Sequence, residues 1–381
     1  MTRIRILADD LTGALDTAAA FDGEVPVYID SPPVGATKTS GNPVSVVATP
    51  TRDVAVSTLG SYLAPVVEWF AAGDLPFKKV DSLLRGNTFA EIAWLLFNAP
   101  FKRGIFAPAF PAQRRITVVD RQWTLDRDGT KSAVAVPLMG AFAALGVHAG
   151  AMDDKDATIW IPDVSTDDDL DRVVGWTDTG AGAAVNDLLW VGSAGLGNAL
   201  ARRFGLASHV GSVPPLSTGQ GPTVLISASF QPVFREQWAL LRAHAAVAAV
   251  AAESGDTAEV AKAVEAARRG ASDVWFDLSP RHVITPEEAR RRLDEHTRML
   301  VGRLPVPGRL LVIGGDTLLG LCRASGATGL LARASIRSGW GCARLMGGVW
   351  DGVLCYSRSG AFGVADDLLA MFGVLNHTSP C

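Results

Sequence analysis

The chain lacks the run of about 18 to 20 uninterrupted apolar residues that a membrane span needs, so no membrane partner is expected. Its N-terminus passes straight into a strand pattern without a basic segment followed by an apolar one, and a cytoplasmic location is expected. Cysteine is scarce. Cys322, Cys342, Cys355 and Cys381 are scattered, with no CxxC spacing and no nearby His, which excludes a zinc knuckle and predicts reduced, mostly buried thiols. Lysine is nearly absent from the C-terminal half, where Lys262 alone lies beyond residue 155. A net charge of -4 gives no general attraction to nucleic acid, and none is expected as a partner. The run Arg290-Arg291-Arg292 lies among Glu287, Glu288, Asp294 and Glu295 and reads as a solvated helix face. Neither GxxxxGK[ST] nor GxGxxG after a strand occurs, so neither a P-loop enzyme nor a dinucleotide fold is indicated. Residues Gly192-Ser193-Ala194-Gly195 only superficially resemble a serine nucleophile elbow and read as a tight helix start. No internal repeat is visible.

What the chain has is length and core: 381 residues, 48% of them hydrophobic, enough for two domains. Arg3 to Ala8, Val44 to Ala48, Phe77 to Val80, Gly104 to Ala107, Thr158 to Ile161 and Leu188 to Val191 read as strands. Gly13 to Phe21, Val54 to Ala71, Thr88 to Phe97, Ser132 to Leu145, Asp167 to Val174 and Ala194 to Phe204 carry helical spacing, which predicts a mainly parallel sheet covered by helices. Residues 207–221, rich in Gly, Pro and Ser, are read as a linker between domains 1–206 and 222–381. In the second domain, also α/β, strands are expected at Thr223 to Ile226, Val274 to Phe276 and Leu310 to Ile313. A glycine-dense β segment from Ala334 to Gly363 and a helix from Ala365 to Phe372 close it.

Polar groups gather just past the strands, where open α/β sheets bind ligands. The first strand delivers Asp9 and Asp10 to its carboxyl end, and Thr12 and Gly13 then open a helix with free N–H groups. Lys79, Asp81, Ser82, Arg85 and Asn87 follow the Phe77 strand, a set able to hold a carboxylate through cations and hydroxyls through Asp and Asn. Arg52, after the Val44 strand, and Pro108 to Arg114, after the Gly104 strand, repeat the arrangement, so four strand ends converge on one pocket. In the second half, Gly314-Gly315-Asp316-Thr317, Ser227-Ala228-Ser229 and Ser359-Gly360-Ala361-Phe362-Gly363 are three backbone-rich turns that favour a nucleotide cradle.

Together these segments resemble the four-carbon acid sugar kinase family over nearly the whole chain. The resemblance rests on Ala8 to Ala14, Lys79 to Asn87, Ala107 to Pro111, Asp163-Val164 with Asp167 to Leu170, Gly192 to Leu196, Gly314 to Thr317 and Ser359 to Gly363, in the family's order. It implies an N-terminal domain that binds the sugar acid, a C-terminal domain that binds the nucleotide, and an active site in the cleft between them. Asp9, Asp10, Thr12, Arg52, Lys79, Asp81, Ser82, Arg85 and Asn87 would line the acid side. Ser227, Ser229, Gly314, Gly315, Asp316, Thr317, Gly360, Phe362 and Gly363 would line the ATP side. The implied reaction moves the γ-phosphoryl of ATP, with Mg2+ bridging its phosphates, to the terminal hydroxyl of a threonate, erythronate or 3-oxo-tetronate type acid, giving a 4-phosphate. Asp10 is expected to orient and deprotonate that hydroxyl, while Lys79 and Arg85 hold substrate carboxylate or phosphate.

Two positions depart from the family's pattern. After Pro111-Ala112-Gln113 it usually continues Gly-Arg, whereas here Arg114-Arg115 follows, which predicts a different path for this loop. The residue before Ser359 is commonly Lys and here is Arg358, the expected phosphate clamp, with Arg337 or Arg344 as further candidates. A non-catalytic sugar-acid sensor is the alternative these departures motivate, and a dehydrogenase or aldolase a second. The metal ligands, the choice of acid and the oligomeric state, homo-oligomer included, are left open.

Overall fold

The computed structural model describes residues 2–33, 42–126, 128–134, 136–176, 188–208, 221–244, 250–252, 257–270, 273–280, 282–334 and 339–377. They fall in two compact units, residues 1–209 and 210–381. The linker read at 207–221 lies outside the described residues except at Ala207, Ser208 and Gly221. Arg337 and Cys381 lie outside them too.

In the first unit β1 (Ile4–Ala8) leads into α1 (Leu11–Ala18), β2 (Val25–Ile29), β3 (Val44–Ala48) and α2 (Leu59–Ala71). Then come β4 (Leu75–Lys79), α3 (Thr88–Asn98), β5 (Arg103–Ala107), and a small antiparallel sheet of β6 (Arg115–Thr117), β7 (Gln122–Leu125) and β8 (Lys131–Ala133). The unit finishes with α4 (Leu138–Ala143), β9 (Ala149–Gly150), β10 (Ile159–Trp160), α5 (Asp167–Gly175), β11 (Leu188–Gly192) and α6 (Ala194–Arg203). Its main sheet runs β2-β3-β1-β4-β11-β5-β10-β9 with every pair parallel. Strands buried along their length, such as Val44–Ala48 and Leu188–Gly192, read as continuous apolar runs because helices cover both faces. Leu7, Val47, Val191, Leu63, Phe70, Ile92 and Phe106 form the core on the α2 and α3 side.

In the second unit β12 (Thr223–Ser227), α7 (Pro232–Ala243), β13 (Val250–Ala252), α8 (Thr257–Arg268) and β14 (Asp273–Asp277) precede α9 (Pro286–Arg303), β15 (Arg309–Ile313) and α10 (Gly315–Ser325). The unit ends with β16 (Gly329–Arg333), β17 (Gly341–Met346), β18 (Leu354–Arg358) and α11 (Asp367–His377). Its strands run β13-β14-β12-β15-β18-β17-β16, parallel as far as β18 and antiparallel beyond. The core packs Leu225, Trp275, Leu311 and Ile313 against Phe234 and Trp238 of α7 and Leu368, Met371 and Phe372 of α11. Cys322, Cys342 and Cys355 are free and buried, and burial pushes the Cys322 thiol up to about 12. The two units wind alike: each starts at an inner strand (β1, β12), crosses to the second neighbour on one side (β2, β13), fills the gap (β3, β14) and returns to the other side (β4, β15). That shared winding has no sequence periodicity to announce it.

Several expectations are corrected. The helix expected over Ser132 to Leu145 is split: Lys131–Ala133 pairs with β7, and only Leu138–Ala143 is helical, because Pro137 cannot continue a helix begun before it. Pro26 hides β2 from a strand pattern, and pairing with β3 starts one residue later at Val27. The closing helix begins at Asp367 rather than Ala365. The arginine run is a solvated face, with Arg291 and Arg292 both paired to Glu288.

On β4, successive residues point to opposite faces, so Lys78 and Lys79 part company. Lys78 turns toward α3 and forms a fully buried ion pair with Glu91 at 2.6 Å. Burial raises the proton affinity of Glu91, and the Lys78 charge opposes that rise. Lys78→Met is expected to cost about 3–5 kcal/mol in urea unfolding by stranding a buried carboxylate, and Lys78→Met with Glu91→Leu to recover most of it.

Candidate active site

The carboxyl ends of β3, β1 and β4 lie side by side, Ala48 and Lys79 flanking Ala8 in register. The strand order reverses at β1, the place where open α/β sheets leave a crevice. Asp9 and Asp10 enter it directly. Asp10 is the N-cap of α1: its Oδ1 accepts the Gly13 N–H at 3.0 Å and its Oδ2 accepts the Thr12 hydroxyl at 2.6 Å. Arg52 arrives from the loop after β3 and clasps both acids. Its Nε and Nη2 donate to Asp9 at 2.9 and 3.1 Å, and Nη2 also donates to Asp10 Oδ1 at 2.8 Å. Burial alone would raise the Asp10 carboxyl, yet Arg52, Lys79, Thr12 and Gly13 together hold it below the usual carboxylate range.

Asn87 and Gly86 fix that arginine. The Asn87 amide donates to the carbonyls of Thr51 and Val54, each at 2.8 Å, and its N–H donates to the Arg52 carbonyl at 3.1 Å. Asn87, expected to line the acid, therefore spends both amide donors on backbone and acts as a positioning residue. Gly86 has φ +71, and a Cβ there would stand 2.2 Å from the Arg52 carbonyl oxygen, so no larger residue fits.

The turn after β4 holds Asp81 and Arg85 as a bidentate pair, Nε to Oδ2 at 2.6 Å and Nη2 to Oδ1 at 2.9 Å. Burial pushes the Asp81 carboxyl up, but the Arg85 hydrogen bonds with the charges of Arg52, Arg85 and Lys79 hold it well below the usual range. Lys79 is buried on the α1 face and donates to its neighbour's carbonyl, Val80, at 2.9 Å. Ser82 accepts from Arg115 at the start of β6, while Gln122 of β7 donates to the Ser82 carbonyl at 2.9 Å and the Pro108 carbonyl at 3.2 Å. The small antiparallel sheet thus ties the loops after β4 and β5 together. Ser193 caps α6 and donates to the Ala109 carbonyl at 2.6 Å.

The Gly-to-Arg departure finds its explanation here. Arg114 sits in the left-handed region, φ 55 and ψ 39, where glycine is at ease. The loop thus carries an arginine on a left-handed turn, anchored by a bond from Arg114 to the Asp126 carbonyl at 3.1 Å. Arg115 then reaches Ser82. Arg115 and Asp16, whose carboxyl feels the charges of Lys79, Asp10 and Arg115, belong to the site but were not among the expected residues. Asp16 looks in the sequence like any polar residue on a helix, and its only signal is its position three and four residues after Gly13 and Thr12.

In the second unit Ser227, Asp277, Ile313 and Arg358 end adjacent parallel strands in one row. Gly314 caps α10 at φ 108, with Asp316 exposed and Thr317 buried behind it. The Ser227 hydroxyl donates to the Ile313 carbonyl at 3.2 Å and accepts the Ser229 N–H at 3.1 Å. Gly360 packs so close to Ser229 that a Cβ would stand 2.1 Å from its Oγ, and the Gln237 amide donates to the Phe362 carbonyl at 3.3 Å. Arg358, the expected phosphate clamp, is engaged within the protein. It is 3% exposed, donates to Asp367 at 2.9 Å and to Gln237, and stacks on Trp340 at 4.8 Å, so it secures the Ser359–Gly363 loop from beneath. Gly363, at φ +88, leaves room for that pair, since a Cβ there would stand 2.1 Å from Asp367 Oδ2. An unexpected half-exposed cluster completes the row: Arg235 of α7 holds Asp277 bidentately at 2.7 and 2.9 Å, Ser279 at 2.6 Å and the Ser229 carbonyl at 2.9 Å.

A family model described as a sugar-binding N-terminal domain matches residues 4–139, the span from Asp9 to Arg115 included. The chain is similar to a D-threonate kinase of Bordetella bronchiseptica, 28% identical over 402 residues and covering 96% of each chain. It is also similar to a D-threonate kinase of Cupriavidus necator, 25% identical over 382 residues and covering 88% of each. These matches agree with the resemblance to the four-carbon acid sugar kinase family. The chain's fold is similar to that of protein HI1011 of Haemophilus influenzae, TM-score 0.69 at 15% identity over 97% of this chain and 99% of that one. Within the described residues, no helix is long and apolar enough to cross a membrane.

Two measurements check the local physics. Arg114→Gly is expected to be neutral or to stabilise by up to about 1 kcal/mol in urea unfolding, because it relieves left-handed strain, whereas Arg114→Ala keeps the strain and loses the anchor. Asp81 has a folded pKa below its unfolded one, so its contribution is full above an unfolded value of about 3.9 and is lost as pH falls toward the folded value. Asp81→Asn is expected to unfold at lower urea than wild type at pH 7, the two curves converging in acid.

Proposed function

We propose that the chain transfers the γ-phosphoryl group of ATP to the terminal hydroxyl of a four-carbon sugar acid, with D-threonate the first substrate to test. One observation carries the reading: Asp9, Asp10 and Asp81, each locked to an arginine, stand beside Lys79 at the strand-order reversal, inside the segment matched as sugar-binding. Ionised carboxylates fixed in this way accept hydrogen bonds from sugar hydroxyls without rearranging, and phosphoryl transfer depends mainly on such placement. Asp10 keeps one acceptor position on Oδ2 beyond its bond from Thr12, enough to orient a substrate hydroxyl. The two D-threonate kinases at matching length support the choice of acid.

The row of strand ends in the second unit supports a nucleotide role there. Gly314, Gly315 and Thr317 offer backbone N–H groups and a hydroxyl at a helix start, and Ser229 with Gly360 brings two loops into close approach. Arg358 and Arg235 shape those loops by holding Asp367 and Asp277. Mg2+ is assigned to the MgATP substrate, whose phosphate charge it would offset.

Coupled ADP release with 31P detection of the ester tests the reading. Turnover is expected with D-threonate, D-erythronate or a 3-oxo-tetronate, and ATP binding without turnover of any of them would instead favour a sensor. Asp10→Asn is expected to lower kcat by at least about 10²-fold while leaving ATP binding largely intact.

A further inference from the structure

We propose that Asp16 takes the proton of the attacking hydroxyl, an assignment that rests on the kinase reading. The acids expected to do chemistry are already committed. Asp9 is held bidentately by Arg52, Asp81 bidentately by Arg85, and Asp10 accepts from Gly13, Thr12 and Arg52. Asp16 is different: it is exposed on α1, and among the described residues its carboxylate accepts no hydrogen bond and forms no ion pair.

Its placement follows from helical spacing. Asp16 lies three residues after Gly13 and four after Thr12, hence on the same face of α1, and helical side chains lean toward the N-terminus. That face is also where Lys79 comes in. A Cβ built on Gly13 would stand 2.8 Å from Lys79 Nζ and 2.4 Å from Asp10 Oδ1, so the bare glycine makes room for the ammonium between the helix and the Asp10 cap. The charged groups acting on Asp16 are Lys79 from β4, Asp10 from the cap and Arg115 from β6. The neighbouring α6 turns its Arg202 away, to Asp171 at 2.8 Å. Lys79 and Arg115 favour the Asp16 carboxylate and Asp10 opposes it, while the exposed position leaves the carboxylate open to water.

The step balances. The terminal oxygen of the acid forms a bond to the γ-phosphorus, and the bond from that phosphorus to the β,γ-bridging oxygen breaks, its electron pair leaving on ADP. The hydroxyl proton passes to the Asp16 carboxylate and from there to water. A base of modest strength suffices, because the attacking hydroxyl becomes acidic only as the bond to phosphorus forms.

The full chain is assayed with MgATP and D-threonate. Asp16→Asn, isosteric and at an exposed position, is expected to keep the wild-type urea midpoint and a near wild-type KM for the acid, and to lower kcat by about 10²–10⁴-fold. The acid limb of the wild-type kcat profile, where activity falls as Asp16 is protonated, is expected to vanish in Asp16→Asn, and Asp16→Glu to restore part of the rate. A wild-type kcat with an unchanged profile in Asp16→Asn, while wild type turns over, overturns the assignment and leaves the kinase reading standing. Absence of turnover by wild type on every four-carbon acid overturns both.

Discussion

The site depends on one clasp, Arg52 on Asp9 and Asp10. Two adjacent carboxylates at the end of a buried strand repel each other and lose hydration; a single guanidinium bridging both offsets the cost with directed, charge-assisted bonds. The arginine in turn has to be held. Asn87 ties the carbonyls on either side of it, and Gly86 lets its backbone approach to a distance no side chain would allow. Thr49, bonded to the Ala8 carbonyl and lying 3.1 Å from the Thr51 hydroxyl, joins the same loop back to β1. Segments far apart in sequence are thus parts of one electrostatic unit.

A similar solution appears in the second unit with different residues. There the buried cation is Arg358, whose partners Asp367 and Gln237 connect the end of β18 to α11 and α7, and Gln237 continues to the Phe362 and Val364 carbonyls. Arg235 does the same for the loops after β12 and β14. In both units an arginine shapes a strand-end loop by holding side chains from other segments: Asp9 and Asp10 in the first, Asp367 and Gln237 in the second.

How much of this could be read from the sequence follows from what fixes each feature. Strand ends were legible, because apolar runs followed by polar turns mark them locally: Asp9, Arg52, Lys79 and Ser227 all stand at or just past the strands expected there. What each side chain does was not, since that depends on partners distant in sequence. Arg358 reads as a phosphate clamp until Asp367, Gln237 and Trp340 are seen to enclose it. Asn87 reads as a hydroxyl binder until its donors are found on residues 51 and 54. The β6–β8 sheet escaped because its strands are three or four residues long, and Ala133 with its neighbours carries helix-like spacing.

The balance of charge around β1 explains why the order of engagement matters more than the number of charges. Asp9, Asp10, Asp81 and Asp16 stand among Arg52, Arg85, Lys79 and Arg115, four negative charges against four positive, so the fixed charges of the pocket cancel. A pocket that is neutral overall cannot draw an anionic acid and a phosphoryl group together by its net field; it must do so through position. Three of the acids are locked by arginines, which makes them fixed acceptors. The fourth, Asp16, stands further along α1, exposed and outside the arginine lattice. A lattice that immobilises most carboxylates and leaves one outside separates holding a substrate from moving its proton, and Gly13 keeps the two functions within reach of the same ammonium.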